Sequence, residues 1–274
     1  DENGDVVLPR NYQYTQQSHV DLEYMRNKLD ALVAVEGIKG GWEGLEFVLE
    51  REPNKPAESG SKRITNLINK DMCFIKLITR PDLLAAIYHL MQDEFKLSAA
   101  GMREPLQGQG LQKIHVDWMP RDSTSDNFEC LTCYFAVDDL TIDNGAISLI
   151  SGTHKKNSYP NENLDTKKKH PDEISQELKA GDWLILNSLT WHRGNINRNG
   201  QRRRALFIEF RNRKLSQGLN QQLYLSDDVK NRLNDLEKWL LMVGIDFPTD
   251  TVRHLGAGEA YRRKYPDEVS AHEI

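Results

Sequence analysis

The chain is 274 residues long, has a mass of 31.5 kDa and carries a formal charge of -5, from 36 basic and 41 acidic side chains. This length fits one large domain, and the acidic balance argues against a dedicated nucleic-acid-binding protein. No apolar run approaches the roughly 18 to 20 residues of a membrane-spanning helix, and residues 1–10 lack the features of a signal peptide. An odd, small number of cysteines argues against a disulfide framework and favours a reducing, cytoplasmic location.

The first part of the chain, residues 1–105, has mostly helical patterns. Apolar side chains between Leu22 and Val33 recur on one helical face. Pro81 opens a second helix that continues through Met91, since proline is well tolerated in a first helical turn. We expect these helices to support a core that lies further along the chain.

The middle of the chain, residues 106–212, has the short apolar segments that are typical of strands. The segments are bounded by turn sequences such as Asp143-Asn144-Gly145, and they predict a sandwich or barrel, with a jelly roll as one option. Four strands are predicted: Phe128–Val137, Ala146–Ile150, Trp183–Asn187 and Ala205–Phe210. Residues 213–274 return to helical spacing, so we expect one domain over residues 1–274.

The segment 114–118, IHVDW, carries the most informative motif. On a strand, His115 and Asp117 point to the same face and can chelate one cation. The pair alone is weak evidence, because short motifs of this kind recur by chance in solvated loops. His192, which follows the predicted strand Trp183–Asn187, supplies a third ligand, and two histidines with one carboxylate form the facial triad of non-haem Fe(II) oxygenases.

Other possible metal ligands fit structural or surface roles better. The C-x-x-C spacing of Cys130 and Cys133 places the two thiols on opposite faces of a strand, so a shared zinc ion or a disulfide is not expected. The remaining histidines lie in turns, charged loops, helices or the C-terminal part of the chain: His19, His89, His154, His170, His254 and His272.

A triplet of arginines precedes the last predicted strand, Ala205–Phe210. Three consecutive arginines are usually a solvated basic patch. A site that uses 2-oxoglutarate, however, needs a cation for the distal carboxylate, and the planar guanidinium fits a carboxylate well. Because neighbouring strand residues alternate faces, Arg203 lies on the opposite side from Arg202 and Arg204, and only one side can meet a buried partner.

Together these features resemble the phytanoyl-CoA dioxygenase family of Fe(II)/2-oxoglutarate oxygenases. The similarity runs from about Arg63 to Phe210, and in the family an Asn and an Arg follow the distal His by five and eleven residues, where this chain has Asn197 and Arg203. The motifs are His115-Val116-Asp117, the block Asp143–His154, Gly181-Asp182 and His192. The resemblance implies a mainly β fold with flanking α-helices, in which a double-stranded β-helix (a cupin-like jelly roll) lies between N- and C-terminal helices.

The resemblance also implies a hydroxylating dioxygenase that uses Fe(II), the co-substrate 2-oxoglutarate and O2. His115, Asp117 and His192 correspond to the metal ligands, and Arg203 corresponds to the residue that binds the distal carboxylate of 2-oxoglutarate. Three protein ligands leave three octahedral positions for a bidentate co-substrate and O2. Halogenating relatives replace the carboxylate with a small residue, so Asp117 favours hydroxylation or a related oxidation.

Further co-substrate contacts are implied by position in the family pattern. Gln112 lies three residues before the first His, Tyr134 is the aromatic residue on the following strand, and Asn66 is a polar residue near an early strand. Tyr134 is equally compatible with a plain core aromatic, and Asn66 with a structural role. Many members have a Ser or Thr two residues after the distal His, but this chain has Gly194, so that hydroxyl contact is missing.

The sequence says less about the substrate. Trp118, beside a ligand, and Arg103 are candidates for substrate contact, and the loops 119–127 and 155–174 are placed to line the entrance. Lysines between 155 and 170 form either a lid for an anionic substrate or a solvated charged loop. We expect a small metabolite or natural-product intermediate as substrate, no nucleic-acid or membrane partner, and a monomer or homodimer.

Two other classes of protein remain as alternatives. A cupin-like metalloenzyme with another divalent metal can use the same three ligands, but it has no need of Arg203 eleven residues after His192. A non-catalytic jelly-roll binding protein would tolerate loss of the triad, whereas this chain keeps all three side chains.

Overall fold

The computed structural model describes residues 20–41, 43, 54, 56–118, 128–156 and 158–244, and within these ranges the chain forms eight strands and six α-helices. Residues 1–10, the loop 119–127 and the tail 265–274, on which expectations were placed above, lie outside the described residues. The same holds for the histidines His19, His254 and His272. None of the described helices combines the length and the apolar character that a bilayer crossing requires.

Two antiparallel sheets form the centre of the molecule. The strands are β1 Ser61–Thr65, β2 Phe95–Pro105, β3 Cys130–Ala136, β4 Ile147–Ile150, β5 Glu173–Gln176, β6 Trp183–Asn187, β7 Trp191–Arg193 and β8 Ala205–Asn212. The larger sheet has the order β1-β2-β8-β3-β6, and the smaller has the order β5-β4-β7. The predicted mainly β fold with flanking helices is confirmed, and an apolar cluster that includes Ala136, Ala205 and Ile147 joins the two sheets.

The helices flank the strands in sequence. They are α1 Leu22–Glu36, α2 Met72–Ile78, α3 Pro81–Met91, α4 Gln221–Tyr224, α5 Asp227–Arg232 and α6 Asp235–Leu241. Two of them begin at an aspartate that accepts a hydrogen bond from a free backbone N–H of the first turn: Asp21 caps α1 and Asp71 caps α2. Pro81 stands at the start of α3, where its missing N–H costs nothing.

The main hydrophobic core lies between the helices and one face of the larger sheet. Leu206, Ile208 and Phe210 of β8 belong to it, together with Leu29 of α1 and Leu240 of α6. Truncating a side chain of this size in such a core typically costs roughly 2–5 kcal/mol of unfolding free energy. Because side chains alternate along a strand, the intervening residues of β8 are left for the opposite face, which faces a cavity.

The β core begins earlier in the chain than the sequence patterns indicated. Residues 1–105 were expected to be mostly helical support, yet β1 and β2 belong to the larger sheet and β2 pairs along much of its length with β8. Nearly every residue of β2 is buried, so the strand has no alternation of apolar and polar residues to reveal it.

Candidate metal centre and its cavity

Three side chains converge at the edge of the smaller sheet. The candidate ligand atoms of His115, Asp117 and His192 all lie within 4.8 Å of one another, and no other such group of three is found in the described ranges. The segment around His115 is an isolated bridge rather than the regular strand that was expected. The backbone N–H of His115 donates to the carbonyl of His192 (2.9 Å) and the reverse bond is 3.0 Å, so the two histidines are held side by side.

Backbone carbonyls fix the orientation of both imidazole rings. Nδ1 of His115 lies 2.8 Å from the carbonyl oxygen of Lys113, and Nδ1 of His192 lies 2.8 Å from that of Thr190. A carbonyl oxygen only accepts, so each Nδ1 carries a hydrogen, and in the neutral ring each Nε2 keeps the lone pair that can bind a metal. The Nε2 atoms lie 3.7 and 3.4 Å from the carboxylate oxygens of Asp117, which directs three donor atoms to one point.

The electrostatics of the group keep its carboxylate charged. Burial by itself would raise the pKa of Asp117, but His192 and then His115 outweigh burial and hold the pKa of this carboxyl well below its usual range. Burial lowers the pKa of His192, whereas the facing Asp117 raises it, and the net direction is upward. The carboxylate is therefore ionised at neutral pH, which is the form that binds a metal ion.

The phenol of Tyr134, on β3, points at the same centre. Its hydroxyl lies 3.0 Å from Nε2 of His192 and 3.3 Å from a carboxylate oxygen of Asp117. Burial, and then the charge of Asp117, raise the pKa of Tyr134 far above its ordinary value. The phenol therefore stays protonated and offers a hydrogen-bond donor to a group bound at the triad.

A cavity of about 290 Å³ opens beside the triad. Its floor is the face of the larger sheet opposite the main core, where Ala205, Phe207 and Glu209 of β8 alternate with the core residues. Its other walls come from residues 112–117 and from Tyr159 to Thr166. The volume is near the lower end of the range for small-molecule sites.

The guanidinium of Arg203 lies inside this cavity and is 1% exposed. Its Nε and Nη2 atoms have no hydrogen-bond acceptor among the residues that the structure describes. Burial, and then the neighbouring charge of Arg103, lower the pKa of Arg203 to about 9. Buried donors are almost always satisfied in folded proteins, and a carboxylate matches two N–H groups on one edge of a guanidinium. The arrangement therefore fits a carboxylate ligand.

The flanking arginines are on the other side of the chain and are fully engaged, as the alternation of faces indicated. Nη2 of Arg202 donates to Glu104 (2.7 Å) and to Asp30 (2.7 Å). Nε of Arg204 donates to Asp138 (2.7 Å), and its Nη1 donates to Asp30 (3.1 Å). Both side chains serve ion pairs that join α1 to the larger sheet.

Two further expected residues, Gln112 and Arg103, line the cavity. Oε1 of Gln112 accepts a hydrogen bond from the backbone N–H of Gly194 at 2.9 Å, so the Gln112 amide is fixed beside the distal histidine segment. Arg103, from β2, lies on the cavity floor next to Arg203.

Asn66 does not line the cavity, contrary to the expectation that it reaches the co-substrate. Its amide nitrogen donates to Glu43 Oε1 (2.6 Å) and to the carbonyl of Tyr224 (3.2 Å). Its backbone is left-handed, with φ of 50°, because it starts a short 3-10 helix, Leu67–Asn69, directly after β1. Asparagine tolerates this conformation well, and both hydrogen bonds hold its amide away from the cavity lining.

Trp118 also lies outside the cavity lining, although it was the favoured substrate contact. It packs with Cys130 and Leu189 in a small apolar cluster, and the guanidinium of Arg211 stacks over its ring at 4.3 Å. The large indole next to Asp117 therefore packs in an apolar cluster rather than on the cavity wall.

Part of the lysine-rich segment 155–170 lines the cavity, but its lysines do not. Tyr159, Pro160 and Thr166 wall the cavity, whereas the side chains of the lysines do not line it. The ammonium of Lys156 lies over the ring of Trp191 at 4.6 Å, and residues 167–169 are exposed.

The sequence did not indicate several residues that line the cavity, or Glu58, which holds two of its arginines. Arg63 of β1 lies over the ring of Phe207 at 4.9 Å, and Glu58 accepts from Nη1 of Arg63 at 3.2 Å and from Nε of Arg103 at 2.9 Å. The period of two along β8 could have revealed Phe207 and Glu209, since both share the face of Arg203. Nothing in the loop that contains Glu58 distinguishes this carboxylate in the sequence.

A histidine–aspartate–histidine group within a jelly roll, beside a cavity with a buried arginine, defines a class of non-haem metal oxygenases. The chain matches the phytanoyl-CoA dioxygenase (PhyH) family over residues 12–205, and it belongs to that family. It is therefore an Fe(II)/2-oxoglutarate-dependent oxygenase.

Solved structures with a similar fold include HygX from Streptomyces hygroscopicus. The crystal structure of HygX with nickel, 2-oxoglutarate and hygromycin B bound is 16% identical, with a TM-score of 0.52, over 66% of this chain and 82% of HygX. Apo HygX gives a TM-score of 0.53 at 14% identity, over 77% of this chain and 84% of HygX. At such identities the similarity shows a shared fold alone.

Proposed function

We propose that this oxygenase hydroxylates, or otherwise oxidises, a C–H bond of a small-molecule metabolite or natural-product intermediate, with release of succinate and CO2. The observation that carries the proposal is the buried side chain of Arg203, which lines the same cavity as the metal-binding group and whose Nε and Nη2 have no acceptor among the described residues. A dicarboxylic 2-oxo acid has the two ends that such a cavity would hold.

The donor set fits the metal that the family uses. Two imidazole nitrogens and one carboxylate oxygen suit Fe(II), and we assign His115, Asp117 and His192 as its ligands. When bound, the iron supplies the activation of O2, which is coupled to oxidative decarboxylation of 2-oxoglutarate. The carbonyl contacts of the two Nδ1 atoms keep both rings in the ligating tautomer.

The charges on the cavity floor favour a doubly anionic co-substrate. Arg63, Arg103 and Arg203 contribute three positive charges, whereas Glu58 beside them contributes one negative charge and Glu209 of the floor is paired with Arg211 at 2.6 Å. In a low-dielectric cavity this imbalance attracts anions more strongly than it would in water. Arg203 then binds and orients the distal carboxylate.

The remaining walls define the space for the substrate. Tyr159, Pro160 and Thr166 form part of the cavity wall, and their proposed role is to limit the access of water to the metal centre. The carboxylate at position 117 fills the coordination position that a halide would need, which favours hydroxylation. HygX was crystallised with hygromycin B, and this supports the proposal that a related fold in this chain takes a small molecule.

The proposal is tested by anaerobic reconstitution with Fe(II), followed by addition of 2-oxoglutarate and air. Succinate should form slowly without a substrate, and a screen of metabolites should give a product whose mass is larger by one oxygen atom. The matched control is His192→Ala, which should form no succinate above the background of free iron.

Absence of succinate together with absence of 2-oxoglutarate binding by the metal-loaded protein would overturn the proposal. Stoichiometric binding of another divalent metal without any 2-oxoglutarate binding would instead favour the cupin-like alternative. Binding of small molecules without turnover would favour a non-catalytic jelly roll.

A further inference from the structure

A second arginine of the cavity, Arg103, is held by hydrogen bonds at two of its three guanidinium nitrogens. Nε of Arg103 donates to both carboxylate oxygens of Glu58 (2.9 and 3.0 Å), and Nη2 donates to the carbonyl of Gly110 (2.6 Å). Its Nη1 has no acceptor within the ranges described by the structure. The side chain is 8% exposed, so this N–H group is both buried and fixed in direction.

Because Gly194 has no side chain, the guanidinium of Arg103 can occupy the space next to it. A Cβ atom built at Gly194 would lie 2.6 Å from Nη1 of Arg103 and 2.9 Å from Oε1 of Gln112. Both distances are shorter than real Cβ contacts, so a side chain at position 194 and the present position of Arg103 exclude each other. Gly194 is also the position, two residues after His192, where many family members carry a hydroxyl.

The two arginines lie close together on the cavity floor. Arg103 pairs with Ala205 across β2 and β8, which places it two residues from Arg203 on the neighbouring strand. The charge of Arg103 also contributes to the lowered pKa of Arg203. Two neighbouring buried cations are costly unless an anion compensates them. Glu58 accepts hydrogen bonds from Arg103 and Arg63, while Nε and Nη2 of Arg203 have no acceptor among the described residues.

We infer that Arg103 and Arg203 together bind the distal carboxylate of 2-oxoglutarate, and that Gly194 is required because it makes room for Arg103. Nη1 of Arg103 takes the place of the hydroxyl donor that this chain lacks, and Glu58 is a positioning residue that holds the guanidinium. This inference rests on the proposed function and deepens it. It makes the site selective for 2-oxo acids that carry a second carboxylate.

Calorimetric titration of the full Ni(II)-loaded chain tests the assignment without turnover. The two ligands are 2-oxoglutarate and 2-oxopentanoate, which has the same metal-binding end but no distal carboxylate. Arg103→Ala should weaken 2-oxoglutarate binding roughly 10- to 100-fold, the range expected for loss of a hydrogen bond between charged groups. Binding of 2-oxopentanoate should change less than about twofold, since no contact with it is lost.

A companion variant separates binding from folding. Arg103→Lys keeps a cation for Glu58 but removes Nη1, so it should fold and still lose 2-oxoglutarate affinity selectively. Arg202→Ala is the control on the other side of the sheet, and it should leave both affinities unchanged. Equal 2-oxoglutarate affinity in wild type and Arg103→Lys would overturn the inference, and so would equal weakening for both acids.

The exclusion between Gly194 and Arg103 gives an independent test. Gly194→Ser alone should weaken 2-oxoglutarate binding because it displaces Arg103. The double variant Gly194→Ser/Arg103→Ala should bind 2-oxoglutarate more tightly than Arg103→Ala, since the contact with Nη1 is removed, only the flexible end of Gln112 has to shift, and the new hydroxyl supplies a donor. Additive losses in the double variant would contradict the proposed exchange. A wild-type protein that binds Ni(II) but neither acid would refute the proposed function itself.

Discussion

Three consecutive arginines divide between the two sides of the chain where it enters β8. On the outer side, Arg202 and Arg204 bond to carboxylates of α1, β2 and the segment after β3. On the inner side, Arg203 lies in the cavity, and the described residues offer no acceptor for its Nε and Nη2. The outer charges are satisfied within the fold, whereas the inner one is buried with unsatisfied donors, which is the basis of its proposed role in binding a ligand.

The two sides should therefore respond in opposite ways to removal of charge. Ligand-free protein carries the cost of a desolvated Arg203, and binding of an anion offsets that cost. The outer ion pairs have no such dependence, because their partners belong to the same chain. Variants on the two sides of the chain test this difference.

The largest expected effect belongs to the metal centre. His192→Ala removes one of three donors in a group whose ligand atoms lie within 4.8 Å. Metal affinity should fall by more than about 100-fold, since loss of a mere supporting contact already costs 10- to 100-fold. Titration with Ni(II) measures this, and His170→Ala, which lies outside the cavity lining, is the control. Unchanged Ni(II) affinity in His192→Ala would contradict the assignment of this metal centre.

The next prediction concerns the free energy of unfolding and contrasts two buried arginines. Arg204→Met leaves Asp138 without its main partner, so the free energy of unfolding should fall by roughly 2–4 kcal/mol. Arg203→Met removes a charge that has two unsatisfied donors and should raise the unfolding free energy of the ligand-free protein by about 1–3 kcal/mol. Urea denaturation at neutral pH gives both values. Destabilisation of equal size in both variants would erase the distinction between the two sides.

Acid should weaken the ion pairs on the outer side of the chain, such as the pair of Asp138 with Arg204. Burial would raise the pKa of Asp138, but its hydrogen bonds with Arg204 outweigh burial and lower the pKa below the ordinary 3.8. A lowered folded-state pKa stabilises the protein above the unfolded pKa, and this contribution is lost as pH falls through the folded value. Asp138→Asn should be less stable than wild type at neutral pH and less sensitive to pH below about 4. Denaturant titrations across this range check the slope, and parallel curves for the two proteins would disprove it.

The smallest effect concerns the phenol at the triad. Tyr134→Phe removes a hydroxyl that lies 3.0 Å from Nε2 of His192. Loss of a neutral hydrogen bond should weaken 2-oxoglutarate binding by roughly 2- to 10-fold and leave the fold unchanged. Tyr88→Phe, at an exposed tyrosine of α3, is the matched control for calorimetry. A loss above 100-fold would mean that the phenol does more than donate one hydrogen bond.

Much of the fold and of the site could be predicted because local rules apply there. Turn sequences and β-rich runs located β3, β4, β6 and β8 to within two residues at each end. The alternation of faces along a strand is enough to place Arg203 on the opposite side from its two neighbours. The spacing of His115 and Asp117, with His192 beyond, gave a metal-binding hypothesis, and the structure brings these three side chains together.

The rest depends on contacts between distant segments, which local patterns do not encode. β2 is buried on both faces, so it lacks the alternating pattern of an exposed strand. Glu58 meets Arg103 only because β1 pairs with β2, and Gly194 has meaning only beside that arginine. Asn66 was expected at the co-substrate from its place by an early strand in the family pattern, and Trp118 at the substrate from its place beside Asp117. A left-handed backbone turn and apolar packing direct their side chains away from the cavity lining.

The most direct test of the account is the 2-oxoglutarate affinity of Arg203→Ala relative to Arg202→Ala in the Ni(II)-loaded protein. The two variants remove the same charge from opposite sides of one short segment. We predict that the dissociation constant of Arg203→Ala exceeds that of Arg202→Ala by roughly 30- to 1000-fold, the loss expected when one partner of a buried charge pair is truncated. Equal dissociation constants in the two variants would contradict the claim that the cavity arginine is held for the co-substrate.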